Sequence, residues 1–211
     1  NNLTSYLEQN WDISDWVNFE LSTHTFNANN TLSSWSYQNN WSGSGWINGI
    51  QDTYTYDEDN NRLSSLVQEL NGGTWEYNFL ETYTYDANNN QISILNQDWN
   101  GIAWENYALS TLSYDVNDNL TNKFTQYWNG SIWGNWLLDL YTYDANNNQL
   151  SHLYQWWNGN NWENVSLYML TYDANNNQTS WLYQSWNGNT WANVDQNTNT
   201  YDANNFTVSD S

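Results

Sequence analysis

Cysteine and proline are absent from the 211 residues, and two basic residues, Arg62 and Lys123, stand against 23 acidic ones. Without cysteine, no disulfide framework can hold the fold. A formal net charge of −21 excludes a phosphate-backbone partner, because nucleic-acid binding needs clustered Lys and Arg. The same imbalance disfavours an anionic membrane surface. No apolar run approaches the ~20 residues that a membrane helix requires. No signal peptide is visible and the first residue is Asn1, so a mature or excised segment is expected. Catalytic material is equally thin. His24 and His152 lack a repeated carboxylate or nucleophile partner, and the acidic residues are spread evenly rather than gathered as a dyad. Neither an enzyme nor a cofactor is expected.

What the chain does have is aromatics, 17 Trp and 17 Tyr, and acidic disordered chains are poor in these. They recur on a beat. Tyr followed by Asp stands at Tyr56, Tyr85, Tyr114, Tyr143, Tyr172 and Tyr201, each 29 residues after the last, with a weaker copy at Phe26. Aromatic pairs five apart keep time with them: Trp11/Trp16, Trp41/Trp46, Trp99/Trp104, Trp128/Trp133, Trp157/Trp162 and Trp186/Trp191, with Leu70 in the first place beside Trp75. A fixed period in this range marks a repeat architecture. One continuous array over 1–211, of about seven units, is expected.

Each unit reads as two extended runs and two turns. The first run, for example Trp162 to Tyr172, is rich in β-formers. Strict alternation puts its Trp, Asn and Tyr columns on one face and Leu and Thr on the other. The second run, for example Gln149 to Trp157, repeats Ser, Leu, Gln and Trp at alternate positions while the intervening column varies, as in a half-buried strand. Asn-Gly at Asn100, Asn129, Asn158 and Asn187 is a strong hairpin signal, because both residues accept positive φ. Asp-Ala-Asn-Asn-Asn closes the opposite turn through side-chain bonds. The expected fold is all-β: an array of antiparallel β-hairpins forming an elongated coiled sheet, with a parallel β-solenoid as the alternative.

The Tyr-Thr-Tyr-Asp leading into Asn-Asn-Asn, with Leu or Ile soon after, resembles the YD (RHS) repeats of bacterial secreted and cell-surface proteins. With the Trp-Asn-Gly-x-x-Trp element the likeness extends from Asn1 to about Ser209. It implies β-hairpin spirals or shells and a structural or adhesive role outside the cell.

The repeat is circularly permuted, opening at the run Thr4 to Trp11 and closing soon after Tyr201. Unpartnered edges at Thr4, Ser5, Leu7, Gln9, Trp11, Trp191 and Tyr201 are therefore expected to join copies head to tail, producing a filament or adhesin stalk. Two rival readings attach to particular residues. Trp136, Trp156 and Trp181 lie outside the repeating Trp columns and suggest glycan stacking. Asp57, Asp59, Asp86, Asp115, Asp144 and Asp173 open spacings like the start of a calcium loop, though the central Gly and distant Glu of such loops are missing. Closure of the turn by Asx bonds is the simpler reading. Eight Asn-x-Ser/Thr sequons match the number that composition produces by chance, at Asn2, Asn29, Asn40, Asn119, Asn129, Asn164, Asn177 and Asn205.

Overall fold

The structure, a computed structural model, describes residues 4–204 and 206–210, the last two by their backbone alone. Sequons Asn2 and Asn205 lie outside the described residues. The chain divides into two compact units, Asn1–Ala108 and Leu109–Ser211. The first holds β1 (Ser5–Asp12), β2 (Asp15–Phe26), β3 (Leu32–Trp41), β4 (Trp46–Tyr56), β5 (Arg62–Asn71), β6 (Thr74–Tyr85) and β7 (Gln91–Trp99). Strand β8 (Trp104–Tyr114) spans the division. The second unit holds β9 (Leu120–Trp128), β10 (Trp133–Tyr143), β11 (Gln149–Trp157), β12 (Trp162–Tyr172), β13 (Gln178–Trp186), β14 (Trp191–Tyr201) and β15 (Thr207–Asp210).

Within each unit, consecutive strands pair antiparallel in chain order. The hairpin reading holds and the parallel solenoid is overturned. No helix among the described residues is long and apolar enough to cross a membrane.

The strict alternation expected for the first run fails, for a definite reason. In β12 the register jumps so that Gln155 faces Asn164 while Tyr154 faces Ser166, leaving Val165 bulged. The same bulge falls on Phe19, Asn78, Trp136 and Val194. An extra residue reverses the phase of everything after it. Trp and Asn therefore share a face with Leu and Thr, not with the Tyr columns.

This Trp face carries the repeated chemistry. Ring pairs meet edge to face across the hairpin, as at Trp99/Trp104 (5.2 Å), Trp157/Trp162 (5.2 Å) and Trp186/Trp191 (5.1 Å), and tilted at Trp128/Trp133 (5.1 Å). Such pairs are worth roughly 0.5–1.5 kcal/mol each beyond their area. Behind them, Gln Nε2 donates to Asn Oδ1 at Gln97–Asn106 (3.0 Å), Gln155–Asn164 (2.8 Å) and Gln184–Asn193 (2.7 Å). Further along, hydroxyls pair at Thr55–Ser64, Thr84–Ser93, Thr142–Ser151 and Thr171–Ser180, each at 2.6 Å. In the second unit the sheet bends toward this face. Phe124 of β9 and Trp162 of β12 have ring centroids 5.9 Å apart, whereas three strand spacings in a flat sheet would be roughly 14 Å. A thin sheet thus finds a core by folding its Trp pairs back over the preceding hairpin.

The opposite, variable face is not the looser one. Ser65 (3 % exposed), Tyr83 (7 %) and Thr125 (7 %) lie on it and are among the most buried residues described. Arg62 sits over the rings of Tyr54 (5.4 Å) and Tyr83 (4.9 Å) in the first unit. Burial, then a hydrogen bond with Asp52, pushes the Tyr54 hydroxyl up to about 12.

Candidate functional site

Two features are extensive enough to bear a function: the edge formed by the Asp-Ala-Asn-Asn-Asn turns, and the aromatic rows on the variable face. The turns are built alike. Asp144 Oδ1 accepts from the backbone N–H groups of Asn146 (2.8 Å) and Asn148 (2.9 Å), and Oδ2 accepts from Asn148 Nδ2 (3.0 Å). Asp86, Asp115 and Asp173 repeat all three bonds, and Asp57 makes the two to Asn61. These bonds hold the carboxyls of Asp57, Asp86, Asp115, Asp144 and Asp173 below their ordinary value; the main cause is the following Asn side chain, or for Asp86 the Asn90 backbone N–H. The fourth turn residue stands in the left-handed region at Asn30, Asn60, Asn89, Asp118, Asn147 and Asn176, with φ between 62° and 69°. Asn and Asp occupy this region more readily than other residues with a Cβ.

Neighbouring turns are also joined. Asn61 Nδ2 donates to Asn89 Oδ1 (3.0 Å) in the first unit. In the second, Asn119 donates to Asn147 (2.9 Å), and Asn146 (3.0 Å) and Asn148 (2.8 Å) both donate to Asn176. In these pairs the left-handed Asn89, Asn147 or Asn176 is the acceptor linking a module to the one before. Asn176→Gly keeps the permitted φ but removes the acceptor, and should cost about 1 kcal/mol. Asn176→Ala adds the left-handed penalty and should cost about 2 kcal/mol. Urea midpoints measure the difference.

The calcium candidates Asp57, Asp86, Asp115, Asp144 and Asp173 are thus all occupied in closing their own turns, and Asp59 lies inside the first of these. No group of three or more His, Cys, Asp or Glu side chains converges as a metal site among the described residues.

The Asn-Gly hairpins are hairpins, but not by the expected geometry. Trp99 and Trp104, for example, are separated by a four-residue loop in which Gly101 alone has positive φ (94°). Asn100 instead closes the loop with its side chain, Oδ1 accepting from the N–H groups of Ile102 and Ala103 (both 2.9 Å). A two-residue turn with both centres positive occurs at Gly72-Gly73, where Leu70 replaces the first Trp.

On the variable face of the second unit, Tyr141, His152, Tyr168 and Tyr183 fall opposite one another across four strands. Tyr141 stacks on His152 (4.5 Å, 12°) and Tyr168 on Tyr183 (4.5 Å, 28°), while His152 Nε2 lies 2.6 Å from Asp139 Oδ1. Burial, then the Asp139 charge, pushes the Tyr141 hydroxyl up to about 12. Of the glycan-stacking candidates, Trp156 faces Leu137 and Glu163 and is 45 % exposed, while Trp181 faces Leu170 and Asn197 two strands away. Trp136 is the bulged residue of β10. The three do not form one platform. The row escaped sequence reading because its members occupy different columns of the repeat and meet only once the bulges set the register.

The candidate edge residues Thr4, Ser5, Leu7, Gln9 and Trp11 lie in or beside β1, whose described partner is β2, and the Thr4 carbonyl accepts from His24 N (2.8 Å). Trp191 pairs with Trp186, while Tyr201 is paired with Thr207 of β15. Among the sequons, Asn119 and Asn177 are committed to turns and Asn164 to Gln155, whereas Asn29, Asn40 and Asn129 are exposed.

No family model matches the chain, and no curated protein matches it. Among solved structures it is similar to a protein of unknown function from Bacteroides fragilis, with 18% identity over 56% of this chain and 89% of that one, at a TM-score of 0.48. It is similar to the TcdB2–TccC3–TEV structure, with 12% identity over 95% of this chain but 14% of that one, at 0.44. A porin-like protein from Bacteroides uniformis aligns over 91% of this chain and 92% of its own, with 13% identity and a TM-score of 0.36. The fold assignment rests on the strand register of this molecule rather than on these superpositions.

Proposed function

We propose that this chain is an extracellular structural repeat protein of the YD type, a building block of a cell-surface filament or adhesin stalk whose copies join head to tail through sheet edges. The observation that carries the reading is the linked turn edge. Modules in both units use the same atoms to close themselves and to hold the next one, so adding a module needs no new chemistry. A chain designed around a ligand would concentrate its distinctive residues at one place, whereas here they recur with the repeat. The charge of −21 suits such a role by keeping neighbouring fibres soluble and apart. It also supports partners other than nucleic acid, the chief partner being the chain itself.

Electron microscopy and light scattering over a concentration series test the assembly. Rods that lengthen with concentration are expected. Strictly monomeric particles at the highest concentration contradict it.

A further inference from the structure

The four Asn-Gly loops between Trp pairs are chemically alike in sequence but not in their bonding. In each, the Asn Oδ1 accepts from two backbone N–H groups of its loop. The amide nitrogen differs. Asn100 Nδ2 donates to Glu105 (2.5 Å), Asn158 Nδ2 to Glu163 (2.5 Å) and Asn187 Nδ2 to Thr190 (3.2 Å). Asn129 has Gly134 where the other loops have Glu105 and Glu163, and its Nδ2 has no partner among the described residues. The N–H of Gly130 likewise meets no acceptor among the described residues, and Gly130 has open space around it.

We infer that Asn129 is a self-modification site, the loop at which this protein deamidates first. The backbone nitrogen of Gly130 forms a bond to Cγ of Asn129, its proton passing to solvent. The bond from Cγ to Nδ2 breaks and ammonia leaves, giving a succinimide. Water then opens either carbonyl, producing aspartate or isoaspartate, so the balance is asparagine plus water to aspartate or isoaspartate plus ammonia. Glycine supplies the unhindered nitrogen in all four loops. What separates them is the bond that must be broken to free the leaving amide: a carboxylate anchor at Asn100 and Asn158, a hydroxyl at Asn187, none at Asn129. Asn48-Gly49 and Asn71-Gly72 fall outside the set, because Asn48 and Asn71 are held extended by pairing with strands on both sides. That pairing opposes the backbone rotation ring closure needs. Each event adds a negative charge, and isoaspartate adds a backbone atom to a loop clasped by Trp128 and Trp133.

The test is peptide mapping by mass spectrometry, with isoaspartate quantified, after incubating the folded protein at mildly alkaline pH. Asn129 should react roughly tenfold faster than Asn100 and Asn158, the factor expected for one charge-assisted hydrogen bond. Glu105→Ala should raise Asn100 to the Asn129 rate without altering Asn158, and Glu163→Ala should do the converse. In urea the four rates should converge. Equal rates in the folded protein, no reaction at Asn129 while the urea sample reacts, or an Asn100 rate indifferent to Glu105→Ala would overturn the assignment.

Discussion

Trp162→Ala is expected to lower the unfolding free energy by about 3 kcal/mol, and Trp16→Ala by only about 1 kcal/mol. The residues occupy the same column of the repeat, so sequence gives no reason for them to differ. Trp162 meets Trp157 at 5.2 Å and Phe124, three strands away, at 5.9 Å. Among the described residues Trp16 makes a ring contact with Trp11 alone, and it is 59 % exposed. Truncating Trp162 therefore removes both the hairpin clasp and the contact that bends the sheet over its predecessor. Guanidinium titrations followed by far-UV circular dichroism measure both changes. Equal losses would mean that the Trp pairs act only within their own hairpins.

The second large effect is acid unfolding. The carboxyls of Asp57, Asp86, Asp115, Asp144 and Asp173 are held below 3.8 by bonds made only in the fold. Folding thus favours the ionised form, so its contribution is fully present above pH 3.8 and is lost as the pH falls through the lower folded values. Five turns lose their closing acceptors in one window, and the bonds between turns depend on that closure. Acid also relieves the repulsion of 18 other carboxylates, 23 less these five, which works the opposite way. A variant separates the two. Asn27 already closes the first turn as an amide, its Oδ1 accepting from Asn29 (3.0 Å) and Thr31 (2.9 Å). Replacing all five Asp by Asn should preserve folding at neutral pH and shift the acid midpoint to lower pH. An acid limb that superimposes on the parent's would remove the turns from the account.

Much of this architecture was legible because its signals recur in phase. Tyr-Asp and the Trp pairs bracket the turns, so strand boundaries such as Trp162–Tyr172 and Gln149–Trp157 could be read directly. The facing of the first run could not. Its bulge falls on Phe19, Asn78, Trp136, Val165 and Val194, residues sharing neither size nor polarity. Between β3 and β4 the register does not shift at all, although Asn40 stands at φ 59°. A bulge is a property of the pairing, set jointly by two strands, and one strand's composition does not record it. For the same reason Trp136 looked exceptional, when its distinction is to occupy the bulge. The Asx turns were legible as turns, but the bonds from Asn119 to Asn147 and from Asn148 to Asn176 join residues 28 apart. They depend on how modules stack, which no local pattern expresses.

Excising residues 144–172 tests the claim of equivalent modules most directly, because it joins Tyr143 to Asp173 and restores Tyr-Asp-Ala-Asn-Asn-Asn. The account predicts a shortened protein that folds with an unchanged circular dichroism per residue and a cooperative, modestly less stable transition. Excising 158–172 instead removes a single strand with its preceding loop and should leave the chain misfolded. If the whole-module deletion fails to fold, or the single-strand deletion folds as well, the modules do not hold one another through a common set of bonds.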